Sequence, residues 1–288
     1  VLRFGSVTHT AKVWLNGQLI AQHKGGFTPF EADVTALLHP GETALLTVAC
    51  DNRVNHSTLP VGNEDGQLAF FGSDNAGIPS VEAAKRAAAP QNRPNFDFFN
   101  YAGIHRPVVL YTTPKEYIED VTVVPAVDGT VQYAVKTTGS APVRVTVLDA
   151  DGSAVAGAEG AEGTITIPAV HLWEPKPGTP YLYTLHITCG ADVYDQTFGV
   201  RSIEVRGTQV LLNGKPLYFK GFCKHEDFTA HGRGFDPVLN VKDVNLIHWA
   251  NANAVRTSHY PYAEEFYDLC DREGILVMDE TPAVGIGG

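Results

Sequence analysis

The chain has 288 residues, a formal net charge of −11 and a sequence pI near 5.4. It contains no Lys/Arg cluster that could neutralise phosphates, which argues against nucleic acid as a partner. No apolar run approaches the ~20 residues of a membrane span and no signal-like segment opens the chain, so we expect no membrane partner either. The length allows two or more domains of roughly 100–200 residues each.

The cysteines and the chain ends add two expectations. The four cysteines are Cys50, Cys189, Cys223 and Cys270. They form no CxxC spacing, so we expect free, mostly buried thiols, which favours a reducing compartment but leaves the localisation open. The single methionine is Met278, the first residues already have a strand pattern, and the chain stops after “GILVMDETPAVGIGG”. We therefore expect a fragment of a longer polypeptide.

Residues 1–114 have an all-β pattern. “AKVWLNGQLIAQH” alternates apolar and polar residues around Asn16-Gly17, which is a strong hairpin signal. “ALLTVAC” and “RPVVLYT” are apolar runs of strand length. Residues 60–95 form a long stretch rich in Gly, Ala, Pro and Asn. Loops of this length in compact domains are usually functional or mobile.

Residues 115–205 carry a second set of strand signals. “APVRVTVLDADGSAVAG” turns at Asp151-Gly152, and “YLYTLHITCGADVYDQTFGVRSIEV” supplies further alternating strands. Short strands in a segment of about 90 residues predict a small immunoglobulin-like sandwich.

From residue 206 onward the pattern changes to β-α-β-α-β. “TQVLLNGKPLYFKGF” predicts a hairpin that leads into a buried strand. Asp236, followed by a proline, then begins a helix with Val241, Val244 and Ile247 on one stripe. “NAVRTSHY” and “ILVMDE” are the next two strands, with a second helix between them. This order implies parallel strands joined by helical crossovers.

Each of these three strands ends in polar residues. In βα folds such residues line the site, because the loops at the C-terminal ends of the strands surround the mouth of the pocket. Three polar strand ends in succession favour a catalytic face over solvated loops or helix caps. The residues are Lys224, His225, Glu226 and Asp227 after the first strand, Arg256, Ser258 and His259 at the second, and Asp279 and Glu280 after the third.

The same residues allow other interpretations. The two histidines could be partly buried core residues, and Arg256 could neutralise Asp279 or Glu280 inside the sheet. A zinc site made of both histidines and a carboxylate is possible, but nothing resembles HExxH. Ser258 and His259 are adjacent strand residues that point to opposite faces, so they suit a nucleophile–base pair poorly. A glycosidase with paired carboxylates fits a barrel rich in acids, but the residues alone leave this open.

Several motifs in a fixed order resemble a known family. “NAVRTSHYPY”, with “GFCKHED” before it and “MDET” after it, resembles glycoside hydrolase family 2, and within it the β-glucuronidases most closely. “DFFNYAGIHRPV” (97–108) and “GGFTPFEADVT” (25–35) resemble parts of the sugar-binding domain of that family. The resemblance covers essentially the whole chain. It implies a multidomain protein with a β jelly-roll sandwich over 1–114, an immunoglobulin-like β-sandwich over 115–205 and the first three β/α units of a (β/α)8 TIM barrel over 206–288.

The resemblance also implies an activity and residue roles. The chain would be part of a retaining glycosidase that hydrolyses terminal β-D-glucuronides without metal or cofactor, as a homo-oligomer in the full-length protein. Asp97 is implied to bind sugar hydroxyls, His225 and His259 to line the sugar pocket, and Arg256 to orient the nucleophilic carboxylate. The two catalytic glutamates of the family lie on later barrel strands. We therefore expect the chain alone to be inactive, because double displacement needs both carboxyl groups.

Beside the resemblance, residues 60–95 are long and rich in Ala and Gly for this point of the sugar-binding domain, so we expect them to form a loop over the active-site rim, of this protomer or a neighbour, that influences which aglycones fit. The resemblance implies that Asn100 and Arg106 hold a domain junction, and that Asp279 and Glu280 are supporting rather than catalytic residues. A β-galactosidase or β-mannosidase specificity within the same family is one alternative. A non-catalytic carbohydrate-binding module made of the two β domains is another, although such a module would not need Arg256. A structural remnant that does not fold stably is the third.

Overall fold

The computed structural model describes residues 1–55, 57–61 and 98–284. The stretch 60–95 therefore lies outside the described residues except for its first two positions, and Asp97 lies outside them as well. Within the described ranges the structure has 21 strands and two helices. Neither of these two helices combines the length and the apolar content needed to cross a membrane.

The N-terminal part consists of three small antiparallel sheets. Its strands are β1 (Leu2–Phe4), β2 (Val7–Thr8), β3 (Thr10–Leu15), β4 (Gln18–Lys24), β5 (Phe30–Ala32), β6 (Leu46–Asp51), β7 (Gly103–Ile104) and β8 (Val108–Leu110). The sheets have the orders β5-β1-β8, β4-β3-β6 and β2-β7. The predicted hairpin turn lies between β3 and β4, where Asn16 and Gly17 have φ angles of 50° and 81°. Positive φ at both positions is what a two-residue hairpin turn requires.

The middle part is a sandwich of two antiparallel sheets. Its strands are β9 (Ile118–Pro125), β10 (Thr130–Thr137), β11 (Val143–Leu148), β12 (Ala154–Glu159), β13 (Glu162–Thr166), β14 (Tyr183–Cys189) and β15 (Asp192–Phe198). They form the sheets β13-β10-β9 and β12-β11-β14-β15. Alternate residues point inward, such as Val131 on β10 and Val145 and Leu185 on the facing sheet, and all three are fully buried. This arrangement agrees with the predicted immunoglobulin-like sandwich.

The C-terminal part combines a small antiparallel sheet with a parallel one. The antiparallel strands are β16 (Ile203–Arg206), β17 (Gln209–Leu212) and β18 (Lys215–Pro216). The parallel sheet has the order β19 (Gly221–Lys224), β20 (Ala254–Thr257) and β21 (Leu276–Met278). Helix α1 (Pro237–Trp249) connects β19 to β20, and helix α2 (Glu264–Glu273) connects β20 to β21. This is the predicted β-α-β-α-β order with helical crossovers.

The first helix begins where its cap predicts, but its buried stripe is narrower than expected. Asp236 Oδ1 accepts hydrogen bonds from the backbone N–H groups of Val238 at 2.9 Å and Leu239 at 3.2 Å. Val244 and Ile247 are buried, whereas Val241 is 49% exposed. The prediction was wrong at Val241 because each step of three residues drifts by about 60° around an α-helix. Val241 therefore turns away from the face that Ile247 occupies.

Two expectations about burial were also wrong. Strand β19 was expected to be buried, but Phe222 is 52% exposed. Cys223 on the same strand is exposed, and so is Cys50. Only Cys189 and Cys270 are buried, so the thiols are free as expected but not mostly buried.

The N-terminal β part packs directly on the C-terminal part. Phe27 stacks on Tyr260, with ring centroids 4.2 Å apart and planes inclined by 13°. Buried Arg106 donates from Nη1 to the carbonyl oxygen of Phe27 at 3.0 Å, and from Nη2 to that of Pro261. Asn100 bonds to His9 and Asn52, within the N-terminal part itself. Arg106 therefore lies across this junction.

The middle sandwich also contacts the parallel sheet through its second helix. Trp173 is fully buried, and its Nε1 donates to the carbonyl oxygen of Asp271 at 2.8 Å. The backbone N–H of Lys176 donates to the carbonyl oxygen of Gly274 at 3.1 Å. Gly274 closes α2 in a left-handed conformation with φ 71°. Both β parts thus hold the three parallel strands in place.

Candidate active site

The parallel sheet gathers the polar strand ends at one edge. Cys223, Arg256 and Met278 are paired across β19, β20 and β21, so Arg256 lies on the central strand. The rings of His225 and His259 meet edge to face, with centroids 5.4 Å apart and planes inclined by 81°. The structure thus brings together three of the four predicted site residues. The fourth, Asp97, lies outside the described residues.

Arg256 and His259 share one carboxylate. Arg256 Nε donates to Glu280 Oε1 at 2.6 Å, and Arg256 Nη2 contacts the same oxygen. His259 Nδ1 lies 3.0 Å from Glu280 Oε2 and 3.4 Å from Arg256 Nη2. Arg256 Nη1 also donates to Cys223 Sγ at 3.5 Å. The hydrogen bonds to Cys223 and Glu280 raise the pKa of Arg256, so its charge is secured.

Asp279, the other candidate for the pair with Arg256, is bound by hydroxyl groups. Asp279 Oδ1 accepts hydrogen bonds from Thr257 Oγ1 at 2.7 Å and Tyr267 OH at 2.6 Å. Thr257 Oγ1 in turn accepts from the backbone N–H of Glu280 at 3.1 Å. Burial and the nearby carboxylate raise the pKa of Tyr267, so it stays a neutral donor. Asp279 therefore fixes the end of β21 to β20 and α2.

Lys224 is also a structural residue. Its Nζ lies 2.9 Å from Asp243 Oδ2 on α1, and its side chain is largely buried. The same ammonium group lies 5.3 Å from the ring centroid of Tyr262 and 5.5 Å from that of Phe266. Lys224 thus holds α1 and α2 to the end of β19, and its Nζ also donates to the carbonyl oxygen of His225 at 3.2 Å.

The two acids after His225 lie beside a small polar cavity. Glu226 Oε2 and Asp227 Oδ1 are shielded from solvent, and neither has a hydrogen-bond partner among the described residues. Burial raises the pKa of Glu226, and the nearby charges of Arg106, Lys224 and Arg233 oppose that rise. Both acids line a cavity of about 150 Å³ between the loop after β19 and the start of α1. A cavity of this size has room for ordered water molecules that could bond to both carboxyl groups.

Arg233 is a buried residue near the site that the sequence did not point to. Only 3% of its surface is exposed, and it lines the same cavity as Glu226 and Asp227. In the sequence it stands between two glycines, in “HGRGFD”, a pattern typical of a solvated turn. No local signal marks this arginine as buried, because the groups that bury it come from distant segments.

The alternative chemistries find little support in the geometry. Ser258 is fully buried, and its Oγ has no hydrogen-bond partner among the described residues. His259 Nδ1 is directed to Glu280 rather than to this hydroxyl. In the described ranges no group of three or more His, Cys, Asp or Glu side chains is placed to hold a metal ion. The arrangement instead fits a polar pocket wall with a fixed cation beneath it.

Three family models match consecutive parts of the chain. “Glycosyl hydrolases family 2, sugar binding domain” matches residues 1–114. “Glycosyl hydrolases family 2” matches residues 112–201. “Glycosyl hydrolases family 2, TIM barrel domain” matches residues 203–288. Together they cover nearly the whole chain in the order that the three structural parts follow.

Individual proteins show the same likeness. A Beta-glucuronidase of Paenibacillus borealis is 44% identical over 99% of this chain and 47% of its own length. The solved structure of a Faecalibacterium prausnitzii Beta-glucuronidase is 97% identical, with a TM-score of 0.92, over 100% of this chain and 48% of that one. A Bifidobacterium dentium beta-glucuronidase, solved with coumarin-3-O-glucuronide, is 52% identical with a TM-score of 0.89, over 99% of this chain and 50% of that one. The chain spans about half the length of these relatives. The chain belongs to glycoside hydrolase family 2.

Proposed function

We propose that the chain is part of a retaining β-glucuronidase that hydrolyses terminal β-D-glucuronides. The observation that carries the proposal is the 97% identity, over the whole chain, to the Faecalibacterium prausnitzii Beta-glucuronidase. Structures of related enzymes contain ligands of the proposed class: coumarin-3-O-glucuronide in the Bifidobacterium dentium enzyme and D-glucuronic acid in the Ruminococcus gnavus enzyme. The fixed cation of Arg256 and the histidine pair at the strand ends suit a sugar pocket of this kind.

The proposal divides the chain into three domains. Residues 1–114 form the jelly-roll sugar-binding domain, residues 115–205 the immunoglobulin-like sandwich, and residues 206–288 the first three β/α units of a (β/α)8 barrel. Three parallel strands with two helical crossovers support the last assignment. In such a barrel the C-terminal ends of the strands carry the active site, which is where the polar residues lie.

In this proposal each site residue has a separate task. His225 and His259 line the sugar pocket, and Asp97 reaches it from the jelly-roll domain. Arg256 lies beneath the pocket and orients the nucleophilic carboxylate, keeping it ionised. Glu280 presets Arg256 for that task, because it holds the guanidinium through two of its nitrogens. A guanidinium that is already fixed loses little conformational freedom when substrate binds.

The proposal includes inactivity of the isolated 288 residues. A retaining glycosidase needs two carboxyl groups about 5–5.5 Å apart, one as acid/base and one as nucleophile. In the family these glutamates are expected on later barrel strands, and none of the carboxyl groups described above is assigned either task. Glu280 is committed to Arg256 and His259, and Asp279 to Thr257 and Tyr267.

Two preparations test the proposal. The first is the 288-residue chain alone, and the second is the grafted enzyme, in which this chain replaces the matching 48% of the Faecalibacterium prausnitzii Beta-glucuronidase. We expect the grafted enzyme to release p-nitrophenol from its β-D-glucuronide and the isolated chain to release none. Release by the isolated chain that an active-site inhibitor suppresses would contradict the inactivity. An inactive but folded grafted enzyme would contradict the proposed function.

The same preparation tests the specificity and the assembly. The β-D-galactoside and β-D-mannoside of p-nitrophenol are the matched substrates, and we expect the grafted enzyme to prefer the glucuronide. Light scattering after size-exclusion chromatography measures the proposed homo-oligomer, a dimer or a tetramer.

Deletion within residues 60–95 tests whether this stretch influences the choice of aglycone. Unchanged relative kcat/KM values for large and small aglycones would contradict that role.

A further inference from the structure

The loop between β19 and α1 is anchored on the N-terminal β part. The backbone N–H of Phe235 donates to the carbonyl oxygen of His105 at 2.9 Å. Phe228 and Gly232 exchange two backbone hydrogen bonds of 2.8 Å, which closes the loop into a tight turn. Gly232 has a φ of 64°, and a Cβ there would lie 2.9 Å from the ring of Tyr101. The loop therefore lies against segment 98–106 with no room for a side chain at this turn.

Arg233 is the central contact of this anchored loop. Its guanidinium carbon lies 4.6–5.4 Å from the centroids of four aromatic rings, and its Nη2 donates to the carbonyl oxygen of Phe99 at 2.6 Å. The four rings are Phe27, Phe98, Tyr101 and Tyr260. Three rings belong to the N-terminal β part and one follows β20. The cation therefore joins two regions of the fold that are far apart in sequence.

The same guanidinium is connected to the candidate site through one carboxylate. Arg233 Nε lies 4.0 Å from Asp227 Oδ1, and His225 Nδ1 lies 4.0 Å from Asp227 Oδ2. The His225 ring in turn meets the His259 ring. Asp227 thus stands between a buried cation and a proposed sugar-facing histidine, with one oxygen toward each. At these distances the groups interact through charge, and the adjoining cavity has room for a bridging water.

An apolar residue would be the simpler choice for a site enclosed by four rings. Burying a guanidinium destabilises the fold unless opposite charges or hydrogen bonds compensate it. Nε and Nη1 of Arg233 have no hydrogen-bond partner among the described residues. Glu226 and Asp227 are the acidic groups beside it, and both line the same cavity. The charge of Arg233 is therefore placed to act on these two carboxyl groups, beyond its contribution to packing.

We propose that Arg233 is a positioning residue that holds Asp227 and, through Asp227, sets the His225 ring at the wall of the sugar pocket. The N-terminal β part thereby determines the geometry of a site on the parallel sheet. This inference rests on the proposed glucuronidase function and adds a residue to it. Arg233 touches neither the substrate nor the reacting atoms in this assignment.

The test uses variants of the grafted enzyme. R233M removes the charge and fills the volume, R233K keeps the charge, and D227N removes the carboxylate charge. R201M is the matched control, because Arg201 also lies over a buried ring, 5.2 Å from the centroid of Trp173, but at the junction with the middle sandwich. For each variant, kcat, KM, the pH profile of kcat/KM and the thermal midpoint are measured on the glucuronide.

We expect R233M to lower kcat/KM about tenfold or more, because a displaced pocket residue is costly to catalysis. Its pH profile should move to higher pH, since loss of a positive charge favours the protonated forms of neighbouring groups. R233K should restore the profile of the parent. R201M should lower the thermal midpoint and leave the profile in place. D227N and R233M together should cost no more than the worse single variant, because both act through one contact.

The pH profile depends on every charged or titratable group that faces the two carboxyl groups. Those beside Glu226 and Asp227 are Arg106, Lys224, His225, Arg233, Tyr260 and Tyr262. The cavity adds His231, Asp236, Lys242 and Asp243. None of these is altered in the R233M and R233K pair except Arg233 itself, so the comparison isolates its charge.

Other results would overturn the inference. If R233M lowers the thermal midpoint but leaves kcat, KM and the pH profile unchanged, Arg233 is only a packing residue. Additive losses for R233M and D227N would show that they act independently. If R233M does not fold, R233K and D227N decide, and a D227N variant with parental kinetics overturns the proposal. Activity of the unaltered grafted enzyme is measured first, so failure of the proposed function is recognised separately.

Discussion

Arg256 and Glu280 form an ion pair that joins the second and third parallel strands, with Arg256 Nε 2.6 Å from Glu280 Oε1. Both side chains are partly shielded from solvent, and His259 contacts the second oxygen of the same carboxylate. Glu280 therefore fixes both Arg256 and His259, two residues to which we assign roles in the sugar pocket.

Replacing this carboxylate should affect both stability and activity. We expect E280Q to lower the unfolding free energy of the grafted enzyme by about 1–3 kcal/mol, because Arg256 loses a charge-assisted hydrogen bond. Its kcat/KM should fall as well, since His259 and Arg256 lose their common partner. Thermal unfolding and glucuronide kinetics measure the two effects. E204Q is the control, because Glu204 pairs with Arg206 at the surface. It should stay within about 0.5 kcal/mol, and equal effects of the two variants would contradict the prediction.

Arg106 should be essential for the junction between the N-terminal β part and the parallel sheet. R106M leaves the carbonyl oxygens of Phe27 and Pro261 without their donor inside a buried contact. We expect a loss of about 2–4 kcal/mol in unfolding free energy, measured as a lower thermal midpoint. R53M is the control, since Arg53 is exposed and pairs with Asp51 two residues away. A midpoint for R106M as high as that of R53M would show that this contact is dispensable.

Trp173 should matter far more than Trp249, although the two residues are chemically identical. W173F removes the hydrogen bond from Nε1 to Asp271 and leaves a gap beside α2, which should cost about 1–3 kcal/mol. Trp249 is 86% exposed, so W249F should change the unfolding free energy by less than about 0.5 kcal/mol. Thermal unfolding of both variants checks the prediction. A loss for W173F as small as that for W249F would show that the contact between Trp173 and Asp271 is dispensable.

The buried histidines of the N-terminal part should make the protein sensitive to acid. The pKa of His9 is lowered from 6.5 to about 4 and that of His105 from 6.5 to about 2, mainly by burial, and the cation of Arg233 contributes to both shifts. As the pH falls, these histidines are therefore protonated in the unfolded chain before they are protonated in the folded protein. The contribution of these two histidines to the free energy of unfolding is fully present above pH 6.5 and is lost as the pH falls toward 4 and below. Between pH 6.5 and 5.5 each histidine should lower the free energy of unfolding by up to about 1.4 kcal/mol.

The slope of stability against pH tests this effect. We expect the thermal midpoint of H9Q and of H105Q to fall less between pH 7.5 and 5.5 than that of the parent. The comparison uses the slope, because either substitution also changes packing at every pH. Identical slopes for the parent and both variants would show that other groups govern acid unfolding.

Local sequence signals predicted the elements whose cause is local. The Asn16-Gly17 turn and the Asp236 cap are where the pattern placed them, since each depends on residues a few positions apart. The polar strand ends also lie together as expected, because consecutive parallel strands end at the same edge. Val241 was the exception, since three apolar residues at a spacing of three do not share one face.

The partners of the site residues could not be read from the sequence. Asp279 and Glu280 are adjacent and both follow β21, yet only Glu280 bonds to Arg256. The partner that each carboxylate binds depends on the direction in which its side chain points after the strand ends. Arg233 was missed altogether, because its four rings come from residues 27, 98, 101 and 260. Contacts of such sequence separation leave no periodic signal.

The sequence by itself determined the order of the three structural parts, the family and the edge of the sheet at which the candidate site forms. Turn residues and the alternation of apolar and polar residues are local properties that can be read directly from the sequence. The order of several motifs along the chain indicates the family. Only the tertiary structure decided that Glu280 holds Arg256 and His259, and that a buried arginine connects the N-terminal β part to His225. The reason is that a charge is stabilised by whatever lies within a few ångströms of it, and the fold brings those groups together from every part of the chain.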